Sequence, residues 1–212
     1  MLRRPIVDGV PVGGDGFDWG EGRGDLSMDA TGVRGIYCTL PYGDRAPEPD
    51  GIHVDAHPFH IGMVALLEDV APEGGAFKLW PGSHRRLYPT FHLQYDTPRI
   101  LAYDHLPSYS GYLRSPEYEP ELKRVRTDTA PVDCWGAKGD VVLWHHRLAH
   151  AAGPNHRDRI RIATLADYSR MDLDATRRDP PQPDMWRDWS EAVRASDGHY
   201  SPQSAREQRL VS

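Results

Sequence analysis

A mainly β domain is predicted, and three observations predict it. Glycine (20) and proline (19) punctuate the 212 residues too often for a helical bundle. The apolar residues, 39% of the chain, gather in short runs that alternate or run continuously between turn signals. Clear helical periodicity is confined to one stretch, residues 184–196. The length suits one domain with a real core and is too short to argue for two.

The elements follow in order. Residues 1–32, rich in Gly and Asp, read as an irregular arm with room for one short strand. VRGIYCTLPYG at 33–43 alternates and has strand composition, and the acidic, Pro-rich DRAPEPDG after it is a loop. IGMVALLEDV at 61–70 is a continuous apolar run, expected to be a buried strand. APEGG then turns the chain into a short strand, AFKLW at 76–80, which Pro81-Gly82 ends. From Arg85 to Pro131 the pattern is irregular, and six of the ten tyrosines fall there. A segment of this kind is expected to line a substrate or to pack upon itself. Gly139-Asp140 is a turn, VVLWHHRLA at 141–149 a strand, and RIRIATLADYS the last strand. DMWRDWSEAVRAS at 184–196 reads as one amphipathic helix, with Met185, Trp186, Trp189 and Val193 on or near one face. The organisation expected is a single domain over 1–212: an arm at 1–32, a core at 33–168 carrying an insertion at 85–131, and a helix and polar tail at 172–212.

Charge and cysteine usage exclude some functions. A formal net charge of −6 without a long basic run is ill suited to holding a phosphate backbone, so no nucleic-acid partner is expected. The two cysteines, Cys38 and Cys134, share no motif and make no disulfide framework, which suits a reduced, intracellular protein. MLRRPIVDGVPVGGDG has no apolar segment behind its arginines, and no later run is long enough to span a bilayer. Neither a signal peptide nor a membrane anchor is expected, and the location expected is cytoplasmic.

HVDAHPFH, residues 53–60, draws attention as a metal site. On a strand, residues i and i+2 share a face, so His53 and Asp55 can converge on one ion while Val54 turns away. An imidazole and a carboxylate suit a borderline divalent metal, but a lone HxD is a weak signal. Pro58 favours a turn and leaves His57 and His60 behind the ligands or at the surface. A 2-His-1-carboxylate triad needs a further histidine from another strand. His150, at the end of VVLWHHRLA, is the candidate, with His145 and His146 in competition. Alternation would send those two to opposite faces. On the next strand Arg161 offers a planar fork that grips a carboxylate in two places, while Arg159 on the same face offers a rim pairing. PGSH at 81–84 reads as structural, Trp80 before it as core, and Arg85-Arg86 as solvated surface.

Three blocks together resemble the phytanoyl-CoA dioxygenase-like iron(II)/2-oxoglutarate oxygenases: HVD at 53–55, ALLEDVAPEGGAFKLWPGSHRR at 65–86, and GDVVLWHHRLAHAAGPNHRDRIRIA at 139–163. The resemblance covers roughly residues 33–168. It implies a double-stranded β-helix, a cupin-like jelly roll with a few peripheral helices. It implies that His53, Asp55 and His150 hold Fe(II) and that Arg161 binds the distal carboxylate of 2-oxoglutarate. The implied activity is C–H hydrogen abstraction using O2 and releasing succinate and CO2, leading to hydroxylation, or to desaturation or cyclisation. The chain has no concentrated Lys/Arg patch that would favour coenzyme A, so the substrate expected is a small metabolite or natural product. The sequence departs from the family in having Ala152 where relatives often carry a small hydroxyl residue. It also has no lysine on the strand before HxD, where Tyr37 or Thr39 could donate instead. Asp55 keeps the carboxylate ligand that halogenases of this type give up for a halide. Relatives usually carry a longer helical region before the first ligand. That shortening, with the 184–196 helix, allows a homodimer. The alternatives are a cupin-type metal enzyme that does not use 2-oxoglutarate and a non-catalytic small-molecule-binding jelly roll.

Overall fold

The computed structural model describes residues 6–7, 10–11, 32–43, 51–55, 60–94, 113–168, 170, 172–176 and 178–196. Within the stretch read as an irregular arm lies a small hairpin, β1 (Ile6–Val7) with β2 (Val10–Pro11). The strands that follow are β3 (Gly32–Thr39), β4 (Ile61–Leu66), β5 (Phe77–Leu79) and β6 (Val132–Cys134). After them come β7 (Val141–His145), β8 (His150–Ala152) and β9 (Arg161–Tyr168). Between β5 and β6 lie α1 (Ser83–Leu87), a 3-10 turn at Tyr88–Thr90 and α2 (Tyr118–Asp128). Past β9 lie the short helices α3 (Leu173–Thr176) and α4 (Glu191–Ser196).

Apart from the β1-β2 hairpin, the described strands form two antiparallel sheets. One has the order β3-β9-β4-β7 and the other β6-β5-β8. Next to β8, the place of a fourth strand is held by an isolated antiparallel bridge, His53 to His150. Distant strands neighbour one another throughout, the winding of a double-stranded β-helix. The alternation in β4 is regular: Val64 and Leu66 are buried, and register places Gly62 opposite Trp144, Val64 opposite Val142, and Leu66 opposite Ala163. These side chains meet Phe77 and Leu79 of β5, so the core lies between the sheets. A second cluster, built on Val54, Trp80, Phe91, Tyr118 and Val125, packs the helical insertion against the site side. On the outer face of the four-stranded sheet Ile36, Val141 and Leu143 stay exposed. Among the described residues, no helix is long and apolar enough to cross a membrane.

Four expected elements differ from those observed. The run 61–70 leaves the ladder after Leu66, and Val70 pairs instead with Gly136 in an isolated bridge to a distant segment. The 85–131 segment contains an 11-residue helix, α2, whose Tyr118, Leu122 and Val125 face the core at helical spacing. Its first turn is acidic, and Arg86 binds both Glu121 (2.5 Å) and Asp128 (2.6 Å), so Arg86 is a tie between helices rather than solvated surface. Tyr88 and Tyr118 are buried, so these two tyrosines of the segment pack inward; Tyr95, Tyr103, Tyr109 and Tyr112 lie outside the described residues. The 141–149 strand stops at His145, where Leu148 N–H turns back to the His145 carbonyl (2.9 Å) and a new strand begins at His150. Of the 184–196 helix only Glu191–Ser196 forms. Asp184 caps a turn through Trp186 N–H (2.9 Å), and Trp186 packs on His145 (4.6 Å).

Ser83 confirms PGSH as structural, since its hydroxyl donates to the Trp80 carbonyl (2.6 Å) and accepts from Ala149 N–H (2.9 Å). Trp80 is buried in the core as expected, and both cysteines are free thiols.

Gly62 is required by close approach. A Cβ there would stand 2.1 Å from the Trp144 indole, which Phe77 (4.7 Å) and His150 (5.4 Å) hold in place. Gly62→Ala is expected to destabilise the protein by about 2 kcal/mol through overpacking, read as a lower urea midpoint at unchanged m-value.

Candidate metal centre

The reciprocal bridge builds the site. His53 N–H donates to the His150 carbonyl (3.1 Å) and His150 N–H to the His53 carbonyl (3.0 Å), which sets the two rings 4.5 Å apart. Outside that bridge residues 51–55 belong to no strand, yet His53 and Asp55 still turn to the same side while Val54 is buried. His150 starts β8 instead of ending the preceding strand.

Each imidazole is oriented by a carbonyl. His53 Nδ1 lies 2.6 Å from the Gly51 oxygen and His150 Nδ1 lies 2.9 Å from the Leu148 oxygen. Assigning the ring proton to Nδ1 on that basis leaves a lone pair on each Nε2. Those Nε2 atoms stand 3.5 Å and 3.4 Å from the two Asp55 carboxylate oxygens, and the three ligand atoms all lie within 4.8 Å of one another. Lone pairs converge on one point, an arrangement that a cation makes favourable. Three N/O ligands on one side, with imidazoles held by outer-shell carbonyls, fit a divalent metal such as iron. Asp55 and His150 are buried, whereas half of the His53 side chain (50%) is accessible, so the centre opens on the His53 side. Burial pushes the His53 pKa down. The hydrogen bond and charge of Asp55, helped by the Gly51 carbonyl, outweigh it, and the net shift is upward.

Arg161 opens β9 on the facing sheet and is buried. Its Nε donates to the Gly75 carbonyl (2.7 Å), while Nη1 is buried and, among the described residues, has no hydrogen-bond partner. Among the described residues no carboxylate lies within ion-pair distance of it. Burial lowers its pKa, and the nearby Cys38 and Glu68 act in the opposite direction. A buried guanidinium with an unused N–H is a ready partner for a carboxylate ligand. Thr39 lies opposite Arg161 and Tyr37 opposite Ala163, so both share the Arg161 face; Thr39 is half-buried and Tyr37 is 41% exposed. Gly75, at φ 75°, leaves no room for a side chain, since a Cβ would meet Thr39 at 2.8 Å. Arg159 stands outside the strand and exposed, and its carbonyl accepts from Asn155 (2.7 Å).

The other histidines divide differently from expectation. His145 and His146 are both buried, with rings 4.4 Å apart, because the strand ends at His145 and alternation ceases to apply. They gather with His60 and His84, away from the triad: His60 lies 5.5 Å from His146 and His84 lies 5.6 Å from His145. His145 Nδ1 accepts Arg147 N–H (3.0 Å). Burial first, then the His84, Arg147 and His60 charges, push its pKa well below the usual value. His60 Nδ1 accepts Arg170 N–H (3.0 Å); His57 lies outside the described residues.

Residues that sequence reasoning missed hold these groups in place. Arg147 reaches the Asp55 carbonyl, Arg114 the Val54 carbonyl, and Asn155 ties the start of β9 to the end of β3. Only Asn155 left a signal, as the last residue of a Gly-Pro-Asn turn.

A family model described as "Phytanoyl-CoA dioxygenase (PhyH)" matches residues 42–163, more than half of the chain. Among solved structures the chain is similar to AviO1 from Streptomyces viridochromogenes Tue57, with 22% identity over 70% of this chain and 57% of that one and a TM-score of 0.43. It is similar to SnoK, an alpha ketoglutarate dependent carbocyclase from nogalamycin biosynthesis, with 23% identity, 70% and 56% coverage and a TM-score of 0.40. It is also similar to EctD from S. alaskensis, with 18% identity, 69% and 45% coverage and a TM-score of 0.43. The chain spans about half the length of these solved structures. No curated protein matches it.

Asn155 is fully buried, and its amide donates to the Thr39 (3.0 Å) and Arg159 (2.7 Å) carbonyls while accepting from Arg157 N–H (3.1 Å). Asn155→Ala strands those groups and is expected to cost about 2–3 kcal/mol, measured by denaturant titration.

Proposed function

Because the chain belongs to the phytanoyl-CoA dioxygenase family, we propose that it is an Fe(II)/2-oxoglutarate-dependent oxygenase that hydroxylates a small metabolite or natural product. The observation that carries the proposal is two sets of groups of opposite character. Three lone-pair donors converge at His53, Asp55 and His150, and an unused N–H remains on the buried Arg161 guanidinium. The first demands a cation and the second an anion.

His53 Nε2, an Asp55 oxygen and His150 Nε2 would hold the iron, leaving further coordination positions for the keto-acid end of 2-oxoglutarate and for O2. With these bound, the iron supplies an oxidant able to remove hydrogen from a C–H bond, with succinate and CO2 released. The protein's part is orientation and exclusion of water. Arg161 grips the distal carboxylate in a desolvated site where a charge-assisted pair is strong, and Thr39 and Tyr37 on the same face are the accessory hydroxyl donors. Ala152 offers no hydroxyl, so the carboxylate depends the more on Arg161. A metal enzyme that ignored 2-oxoglutarate would leave the buried guanidinium uncompensated, which weighs against that alternative. A purely binding jelly roll would have no use for a converging His-Asp-His set.

Anaerobic titration of the Fe(II)-loaded protein with 2-oxoglutarate should develop a saturable charge-transfer absorption, and admitting O2 should give succinate. Absence of any 2-oxoglutarate binding would sink the proposal. Arg161→Met is expected to raise the 2-oxoglutarate concentration for half-saturation by about 10- to 100-fold through loss of the charged hydrogen bonds.

A further inference from the structure

The HVD segment is attached by long-range contacts rather than by a strand ladder. Only His53 is in a bridge; Val54 and Asp55 lie outside every strand. Two arginines take over the missing ladder bonds. Arg114 Nη2 donates to the Val54 carbonyl (2.8 Å) and Arg147 Nη1 to the Asp55 carbonyl (3.0 Å), while Val54 N–H is received by the Tyr118 hydroxyl (3.2 Å). Both guanidiniums are themselves braced. Arg147 is wholly buried, lies 3.7 Å from the Phe91 ring centroid and uses Nη2 on the Gln94 carbonyl (2.8 Å). Arg114 lies 4.3 Å from the Tyr118 ring, and Phe91 and Tyr118 pack edge to face at 5.5 Å. Stacked guanidiniums with fixed forks are rigid donors, which an ammonium on a flexible stem would not match.

A buried arginine is a costly way merely to fill space. Its effect here is directional. Clamping two successive carbonyls fixes the peptide plane from which the Asp55 side chain departs, and so aims the carboxylate between the two imidazoles. We propose that Arg147 and Arg114, mounted on Phe91 and Tyr118, are positioning residues for Asp55 as a metal ligand. This rests on the metal-binding role proposed above. Sub-ångström placement of ligands sets metal affinity, and removing outer-shell partners typically weakens it by about 10- to 100-fold.

Co(II) binding to the metal-free protein tests it, with dissociation constant and ligand-field spectrum as readouts and the thermal midpoint without metal as the control. Arg147→Met and Arg114→Met are expected to weaken Co(II) binding about tenfold or more and to alter the spectrum. Arg147→Lys, which keeps the charge and can reach one carbonyl, should recover part of the loss. Tyr118→Phe removes a single acceptor and should weaken binding by a smaller factor; it carries the test if Arg147→Met does not fold. Folded variants with the wild-type dissociation constant and spectrum, even at a lower thermal midpoint, would overturn the positioning role while leaving the metal site standing. A wild-type protein that binds no Co(II) would overturn both.

Discussion

Two backbone hydrogen bonds between His53 and His150 hold together the candidate metal centre. They join segments distant in sequence, so their formation requires closing a long loop, and the closure entropy has to be met by burial elsewhere. The hydrophobic clusters on either side supply it: Val54 under the insertion, and Phe77 and Trp144 between the sheets. Once the pair forms, both rings lie side by side with Nε2 turned to Asp55, and β8 extends the three-stranded sheet from the same point.

The site sets groups of opposite character on its two sides. On one, lone pairs of two imidazoles and a carboxylate crowd together; on the other, a guanidinium is buried with an unused N–H. Each arrangement costs stability, and a ligand of opposite character would offset it. The surrounding glycines and asparagine make this tolerable. Gly75 and Asn155 let the Arg161 end of β9 approach β3 closely, and Gly62 lets Trp144 lie flat under the core beside His150.

Much of this could be read from the chain. The i and i+2 spacing of His53 and Asp55 was legible because backbone geometry alone puts alternate residues on one side, and that placement survives here although the ladder itself is missing. The β4 and β9 strands were legible because apolar alternation is a local property. Arg86, Arg114 and Arg147 were not, because each is recognised only by its partners: Glu121 and Asp128 for the first, the Val54 and Asp55 carbonyls for the others. The break after His145 was hidden for the same reason, since VVLWHHRLA has uninterrupted strand composition. What ends the strand is Arg147, whose backbone N–H turns to the His145 ring and whose side chain reaches across to Asp55. The 184–196 stretch is helical only at its end because the packing of Trp186 on the buried histidines outweighs local helical propensity.

By itself the sequence determined the type of fold, its turns, the residue types of the candidate metal centre and the order in which they occur. Those follow from short-range rules: strand alternation, turn chemistry and the donor character of side chains. What brings His150 beside His53, what braces the Val54 and Asp55 backbone, and how Arg161 comes to be buried on the Gly75 carbonyl were decided by tertiary structure alone. Each depends on which distant backbone carbonyl or ring a side chain meets, and no local pattern encodes such a meeting.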